Sequence, residues 1–415
     1  MNIRYTKVGD LNDQNLKIEG VGYSRQDIIF PMKEFETRLK KVREMIAAKG
    51  LDAALITTPE NIFYLSGYQT LGYWYFQAMI VPLKQEPFMV LRGLEQPNVD
   101  ARTYLSHSYV YSDNEEPIDV LRDSFKEEGL VGRKIGVELH SYFLRNTEFT
   151  EVKQKIKETE WIDVSGMVEE LRMVKSTLEI KKLKNAGIFT HMGMIEGLKE
   201  AHIGKTENDI AAGFYHGALD AGGHYMAMPP FVASGPRSYL AHATFMNRTL
   251  QPNEFILFEG AGCFERYHAP TMRTIYLGRP EPWYKEVEAI LAEALRTTVK
   301  SMKPGVTASD VDAVNQSVIQ KNTFGGQQTS RSGYSVGTAF APDWGEGHMI
   351  SLIKGNETVL KENMVFHVLS YIEIPESKFA KESRFGISDT VFVTPEGGKS
   401  VVNLPYEIKF LEEGF

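Results

Sequence analysis

Ser335 stands in Gly333-Tyr334-Ser335-Val336-Gly337, the G-x-S-x-G spelling of a nucleophile elbow, and Asp343 and His348 follow in the order that a serine, acid, histidine triad on such an elbow requires. An elbow also needs a helix after the serine, whereas TAFAPDWGEG is a Pro- and Gly-rich loop, so context argues against a serine hydrolase. Other residue types suggest other chemistry. His242 in LAHATF has the chemistry of a general base, although a histidine beside alanines is more often packed. Glu259 lies in the apolar run FILFEGAG, where a carboxylate costs desolvation unless paired and can serve as nucleophile or base. Strand alternation sets it opposite Phe258 unless the strand bulges at the glycines. His268 in ERYHAP and His367 in MVFHVL can donate to a substrate or shuttle protons; the plainer reading of each is a hydrogen-bonded core histidine. APDWGEGH offers Asp343, Trp344 and Glu346 to bracket a cation by charge and by the indole face, or else forms a tight acidic turn. GYQTLGYWYF gathers Tyr68, Tyr73, Trp74, Tyr75 and Phe76, and its glycines suggest a loop.

These groups must be positioned by a chain of 415 residues, long enough for two or three domains. A net charge of −8 leaves no basic stripe for phosphates, so nucleic acid is not an expected partner. Cys263 is the only cysteine, which excludes an intrachain disulfide and a four-thiolate zinc site. The opening MNIRYTKVGDLNDQNLKIEG is polar, which argues against a signal peptide, and no uninterrupted apolar run reaches the roughly 18 residues of a membrane helix. The expected compartment is the cytoplasm, with no membrane partner.

Strands and helices alternate to about residue 165. Phe35, Leu39, Val42 and Ile46 recur at helical spacing before Gly50, a strand follows at Ala53 to Thr57, and FQAMIVPL and EPFMVL are apolar strand runs. The spacing then predicts one long helix from about Thr177 to Ala201. The expected domains are therefore 1–165, a smaller α/β domain, and 166–415, an α+β domain.

The second domain carries an internal repeat. IGKTENDI and PGVTASDV both contain G-x-T-x-x-D-[IV], with Thr206 and Thr307 as helix caps and Asp209 and Asp310 three residues on. LQPNEFILF and LKENMVFHV share L-x-x-N before an apolar strand, in the same order and at a similar offset. The pattern is that of a duplicated unit of helix, capped helix and strands.

RMVKSTLEIKKLKNAG, GKTENDIA, LQPNEFILFEGAG, LKENMVF and ISDTVFVTPEG together resemble the catalytic domain of the pita-bread family, which includes Xaa-Pro aminopeptidases, prolidase, methionine aminopeptidase and creatinase. The resemblance covers about residues 165 to 405, and the N-terminal domain resembles the one that precedes it in creatinase and prolidase. It implies an antiparallel sheet backed by two helix pairs about a pseudo-twofold. Peptidase members hold two metals on two Asp, one His and two Glu. Those positions align here with Phe258, Pro270, Tyr334, Leu369 and Ser388, so all five ligands are lost and no metal or other cofactor is expected. Within the family the chain is most similar to the metal-free members, ectoine hydrolase and creatinase, through TPENIFYLSGY, AHATF, FEGAGCFERYHAPTMRTIYLG, GYSVG, PDWGE and MVFH. It departs from ectoine hydrolase at Ala269 and around Arg384 to Ser388.

The resemblance implies a metal-independent hydrolase of a C–N bond in a small amidine- or guanidine-like solute, nitrogen-rich and zwitterionic or cationic. Glu259 and His242 take the catalytic positions. Tyr68, Trp74, His268, Arg331, Tyr334, Asp343, Trp344, Glu346 and His367 take substrate-binding ones. It also implies a homodimer in which the aromatic loop reaches the neighbouring subunit's site. A metal-dependent Xaa-Pro peptidase and a non-catalytic solute-binding protein stand as the alternatives.

Overall fold

The computed structural model describes residues 27–374 and 383–411, and the polar N-terminal stretch read above lies outside them. The chain divides into two compact units, the first ending at Arg172 and the second beginning at Met173.

The first unit runs α1 (Met32–Ala48), β1 (Ala53–Ile56), α2 (Pro59–Ser66), β2 (Ala78–Pro82), β3 (Phe88–Arg92), α3 (Gln96–Arg102), β4 (Ser108–Tyr111), α4 (Pro117–Glu127), β5 (Lys134–Val137), α5 (Asn146–Lys155), β6 (Glu160–Asp163) and α6 (Met167–Met173). Its strands form one mixed sheet in the order β4-β3-β2-β1-β5-β6. The continuous apolar runs have a simple cause: both faces are covered. Ala54, Ile56, Met79 and Val81 pack with Val42 and Ile46 of α1, while Ala53, Leu55, Ala78 and Ile80 pack with Leu121 and Phe125 of α4.

The second unit contains α7 (Thr177–Lys199), α8 (Glu207–Asp220), β7 (Phe231–Ser234), β8 (Glu254–Phe264), β9 (Tyr267–Leu277), α9 (Pro282–Ser301), α10 (Ala308–Ile319), β10 (Gly333–Ser335), β11 (Ser351–Leu352), β12 (Val365–Ile374), β13 (Ser383–Thr394), β14 (Gly397–Ser400) and β15 (Lys409–Leu411). Its main sheet has the order β11-β10-β12-β13-β9-β8-β7, with β14 on β13 and β15 on β9.

The repeat is visible atom by atom. Thr206 and Thr307 each accept the backbone N–H of the Asp three residues on, closing matched capping boxes at α8 and α10. The backbone N–H of Leu250 donates to Lys205 O and that of Leu360 to Val306 O, so each L-x-x-N phrase pairs with the segment before its helix cap. Asn253 and Asn363, which close those phrases, both adopt positive φ (60° and 65°), a conformation asparagine tolerates better than most residues. One half buries Phe214, Phe258 and Ile256 with α7 and α8; the other buries Leu291, Val311 and Phe366 with α9 and α10. Among the described residues no helix is long and apolar enough to cross a membrane.

Candidate active site

The site takes its geometry from the β8–β9 hairpin. β8 pairs with β9 without a bulge from Glu254 through Phe264, so alternation holds and Phe258 and Glu259 face opposite sides. Gly260, on Phe258's side, and Gly262 are explained by the helices behind the sheet: a Cβ at Gly260 would come within 2.5 Å of the Phe214 ring, and one at Gly262 within 2.5 Å of Thr190 N. The Phe258 ring lies 5.8 Å from that of Phe214, fully buried on the helix side.

This register corrects one sequence alignment. Ligands of a shared metal pair must project from one face. Glu259 lies opposite Met272 and Pro270 opposite Ala261, which puts Glu259 and Pro270 on the same face. β13 meets β9 at Ile387 and Arg273, so Ser388 shares that face; Leu369 lies opposite Ser388, and Tyr334 opposite His367. Phe258 is on the other side. Glu259, and not Phe258, is therefore the residue that shares a face with the other four aligned positions. The remaining positions do not fit a metal pair: Pro270 and Leu369 bring no donor, and the Tyr334 and Ser388 hydroxyls are both engaged by His367. Among the described residues no group of three or more His, Cys, Asp and Glu is placed to hold a metal ion.

A polar chain occupies the face instead. Trp344 Nε1 donates to Tyr334 Oη (3.0 Å), Tyr334 Oη lies 2.9 Å from His367 Nδ1, and His367 Nε2 lies 2.6 Å from Ser388 Oγ. Burial, reinforced by the charges of Arg331 and Arg273, pushes the His367 imidazolium down to about 3, so the ring is neutral. A neutral imidazole donates at one nitrogen and accepts at the other, so Tyr334 and Ser388 cannot both donate to the ring. Glu259 Oε1 lies 3.9 Å from His367 Nδ1, a contact and not an ion pair while the ring is neutral. Burial, and then the Asp343 carboxylate, push the Glu259 carboxyl up to about 8, while Arg384 opposes the rise.

The other expected site residues divide. Phe231, opposite Glu259 across β7 and β8, has its ring 5.1 Å from Trp344 and 6.0 Å from His242. His242 is exposed, in a turn at φ 57°. Arg331 stacks 4.3 Å from the Tyr334 ring centroid and donates to Ser351 Oγ. Asp343 is exposed and caps its own turn by accepting from Gly345 N (2.8 Å).

Three expectations fail. His268 is a core histidine: Ala227 N donates to its Nε2 (3.0 Å), leaving Nδ1–H to donate to Arg266 O (2.9 Å), so both nitrogens are engaged. Burial and the Arg266 charge hold its pKa well below the usual histidine range. Glu346 is buried in an ion pair with Lys175 (2.8 Å) and carries no free charge toward a substrate. Tyr68 is buried in the first unit's core instead of standing on an open loop, whereas Trp74, also in that unit, is 58% exposed.

Ser335 is not a nucleophile. It is buried on the short strand β10 with a loop behind it, and its hydroxyl donates to Glu346 O (2.6 Å). Ser335→Ala is expected to keep turnover within about twofold and to cost about 1 kcal/mol of stability, read by steady-state kinetics and thermal melting. A hundredfold loss of turnover would restore the elbow reading.

Sequence reasoning missed Lys175, Phe231 and Arg384 in this neighbourhood. Lys175 follows Val174 and precedes the Ser176 cap of α7 with nothing local to mark a charge bound for burial. Phe231 reads as one more apolar strand residue, and Arg384 sits among other charged residues in KESRFG.

Comparison with known proteins agrees with this architecture. Residues 181–395 match the metallopeptidase family M24 and residues 38–174 the creatinase/prolidase N-terminal domain. The chain is 26% identical to ectoine hydrolase of Halomonas elongata, over 91% of this chain and 98% of that one. It is also 26% identical to the Xaa-Pro dipeptidase of Lactobacillus helveticus, over 90% and 98% respectively. Prolidase from Thermococcus sibiricus superimposes with a TM-score of 0.80 at 23% identity, covering 91% of this chain and 99% of that one. Prolidase from Pyrococcus horikoshii does so with 0.76 at 24%, covering 88% and 98%. Structural likeness at such identity shows the fold, a pita-bread domain behind a creatinase-type N-terminal domain. With its matched segment spanning just over half its length, the chain belongs to metallopeptidase family M24.

Proposed function

We propose that the chain is a metal-independent hydrolase that opens a C–N bond in a small amidine- or guanidine-like solute, with ectoine the first substrate to test. The observation that carries this reading is the substitution of the family's metal face: Glu259 stands beside a neutral tyrosine–histidine–serine chain where the peptidases need five ligands. The similarity to ectoine hydrolase supports it; the equal similarity to an Xaa-Pro dipeptidase is why the donor set, and not the identity, bears the weight.

In the proposed reaction Glu259, as carboxylate, takes a proton from water while the water oxygen bonds to the electrophilic amidine carbon. The C–N bond then breaks as its nitrogen accepts a proton, leaving an amide (a urea from a guanidine) and an amine. A cationic substrate favours this state because its charge stabilises the Glu259 carboxylate that burial disfavours. His242, at the exposed edge beyond Phe231, hands on the proton, and Trp344 and Asp343 border the cation. Direct attack by Glu259 on the same carbon is the covalent variant. The reading includes a cytoplasmic homodimer.

Ectoine, hydroxyectoine, creatine and proline dipeptides, offered to protein of known metal content before and after chelation, test the proposal. Turnover of an amidine or guanidine unchanged by chelation is expected. Turnover of proline dipeptides alone, abolished by chelation and restored by a divalent metal, would overturn it.

A further inference from the structure

β7 and β8 are antiparallel neighbours that a short hairpin turn could join, yet positions 235–253 lie between them. Connections of that length commonly carry function. This one carries His242, whose ring lies 6.0 Å from that of Phe231, the residue opposite Glu259. It also carries Tyr239, whose ring centroid lies 5.9 Å from the Arg384 guanidinium carbon.

One buried carboxylate closes the loop. Glu207, the first residue of α8, is fully buried and accepts from both ends of the connection. Its Oε1 takes Ser234 N (2.8 Å) and Ser234 Oγ (2.9 Å), where the loop leaves β7. Its Oε2 takes Met246 N (2.9 Å), on the return, and Arg237 Nη1. Arg237 Nη2 donates in turn to Thr244 O (2.6 Å), and Thr244 Oγ1 to Pro230 O (2.7 Å). The exposed arm with Leu240, Ala241 and His242 therefore hangs from a neck fixed on both sides. His242 at φ 57° holds a backbone conformation that residues with a side chain seldom adopt, and one that persists only where the surroundings impose it.

The internal repeat shows that the start of the helix does not itself need this carboxylate. Thr206 corresponds to Thr307, so Glu207 corresponds to Ala308. The scaffold contacts recur in both halves. Glu207 N donates to Arg248 O and Ala308 N to Thr358 O, while Asn208 Oδ1 accepts from Asn247 N and Ser309 Oγ from Gly355 N. Thr206 bridges to Thr249 and Thr307 to Val359. The carboxylate alone has no counterpart at Ala308, and it belongs to the half that carries His242. A buried carboxylate is tolerated only with donors around it, and here those donors are the two ends of the His242 loop. We propose that Glu207 is the positioning residue of His242: by gathering Ser234, Arg237 and Met246 it closes the neck of the loop and sets the imidazole at the edge of the Glu259 face. This deepens the proposed function and rests on it for what His242 does, though not for where His242 is held.

The test reads position and role separately. In full-length protein carrying carbon-13 at histidine Cε1, the His242 resonance is the one that disappears in His242→Ala. In Glu207→Gln, which keeps the size of the side chain and loses its charge, that resonance is expected to leave the influence of the Phe231 ring and move to the position of a free histidine. With a substrate found by the screen above, Glu207→Gln should lower kcat about 10- to 100-fold and leave KM within about threefold, the effect of a misplaced catalytic group. Glu207→Gln combined with His242→Ala should be no slower than His242→Ala alone, because both changes remove one contribution. If Glu207→Gln does not fold, Arg237→Gln takes away one of the four donors from the partly exposed side. It is expected to move the resonance the same way and lower kcat at least about threefold. A His242 resonance that stays in place in the folded variant overturns the proposal. So do losses in kcat that multiply in the double variant, since Glu207 then acts through something else. A resonance that moves while His242→Ala keeps full kcat upholds the positioning and overturns the role that the proposed reaction gives His242.

Discussion

Glu259→Gln is expected to lower kcat on the true substrate by about a thousandfold, within the range for loss of a general base, while leaving the fold intact. The pH dependence identifies its role. With the carboxyl pushed up to about 8 by burial and by Asp343, the free enzyme holds a proton on Glu259 at neutral pH. If the carboxylate does the work, kcat/KM rises as pH increases through about 8, and the limb vanishes in Glu259→Gln. In the complex a cationic substrate favours the carboxylate, so the corresponding limb of kcat lies at lower pH. A profile that falls above 8 would make Glu259 a proton donor and overturn the proposed step. His242→Ala is the control for proton hand-on: an unchanged kcat there removes His242 from the mechanism without touching Glu259.

The same carboxyl has a cost in stability, and its sign can be worked out. A group whose folded pKa is raised contributes stability in full below its unfolded pKa, near 4.5, and loses it as pH rises to the folded value of about 8. Wild-type stability should therefore decline across that window, and Glu259→Gln should decline less. Denaturant titrations of the two proteins at pH 5 and pH 9 measure the difference.

Lys175→Met is expected to cost about 3–5 kcal/mol, the largest stability effect foreseen here, because it removes the buried cation that pairs with the buried Glu346 carboxylate. Both side chains are only 1% exposed and lie 2.8 Å apart, so the effect comes from desolvation as well as lost attraction. Glu346 also organises the GYSVG segment: its N donates to Ser335 O (2.7 Å), and its carboxylate lies where a Cβ on Gly337 would have to go. Adding Glu346→Gln to Lys175→Met should recover part of the loss, since the buried carboxylate charge is then removed as well. Urea denaturation of the second unit's transition is the measurement, and a single-variant loss below 1 kcal/mol would show that water reaches the pair.

Much of the architecture was legible because its signals are local. Apolar spacing marked α1, the four-residue spans from Thr206 to Asp209 and Thr307 to Asp310 marked two helix starts, and the L-x-x-N phrases marked entries to β8 and β12. Each signal depends on residues within a turn or two, whose backbone hydrogen bonds and side-chain directions follow from short-range geometry. The duplicated order of these local signals was enough to expect a repeated unit, and the resemblance to the pita-bread family, laid over GYSVG, ERYHAP and MVFHVL, implied the pseudo-twofold and the loss of the metal ligands.

The roles within the site were not legible in that way. Whether Phe258 or Glu259 occupied the metal face turned on one residue of register, and a one-residue slip exchanges every side chain between faces. His268 and His367 carry the same side chain on β9 and β12, two strands of one sheet with β13 between them. Ala227 and Arg266 make the first a structural post, and Tyr334 and Ser388 make the second part of a polar chain. Glu346 looked like a cation binder until Lys175, 171 residues away, was seen to neutralise it. Amino-acid type and short-range spacing establish which groups are present and which elements carry them. Protonation, free charge and access depend on partners distant in the chain, since desolvation and pairing arise only when packing brings those partners together.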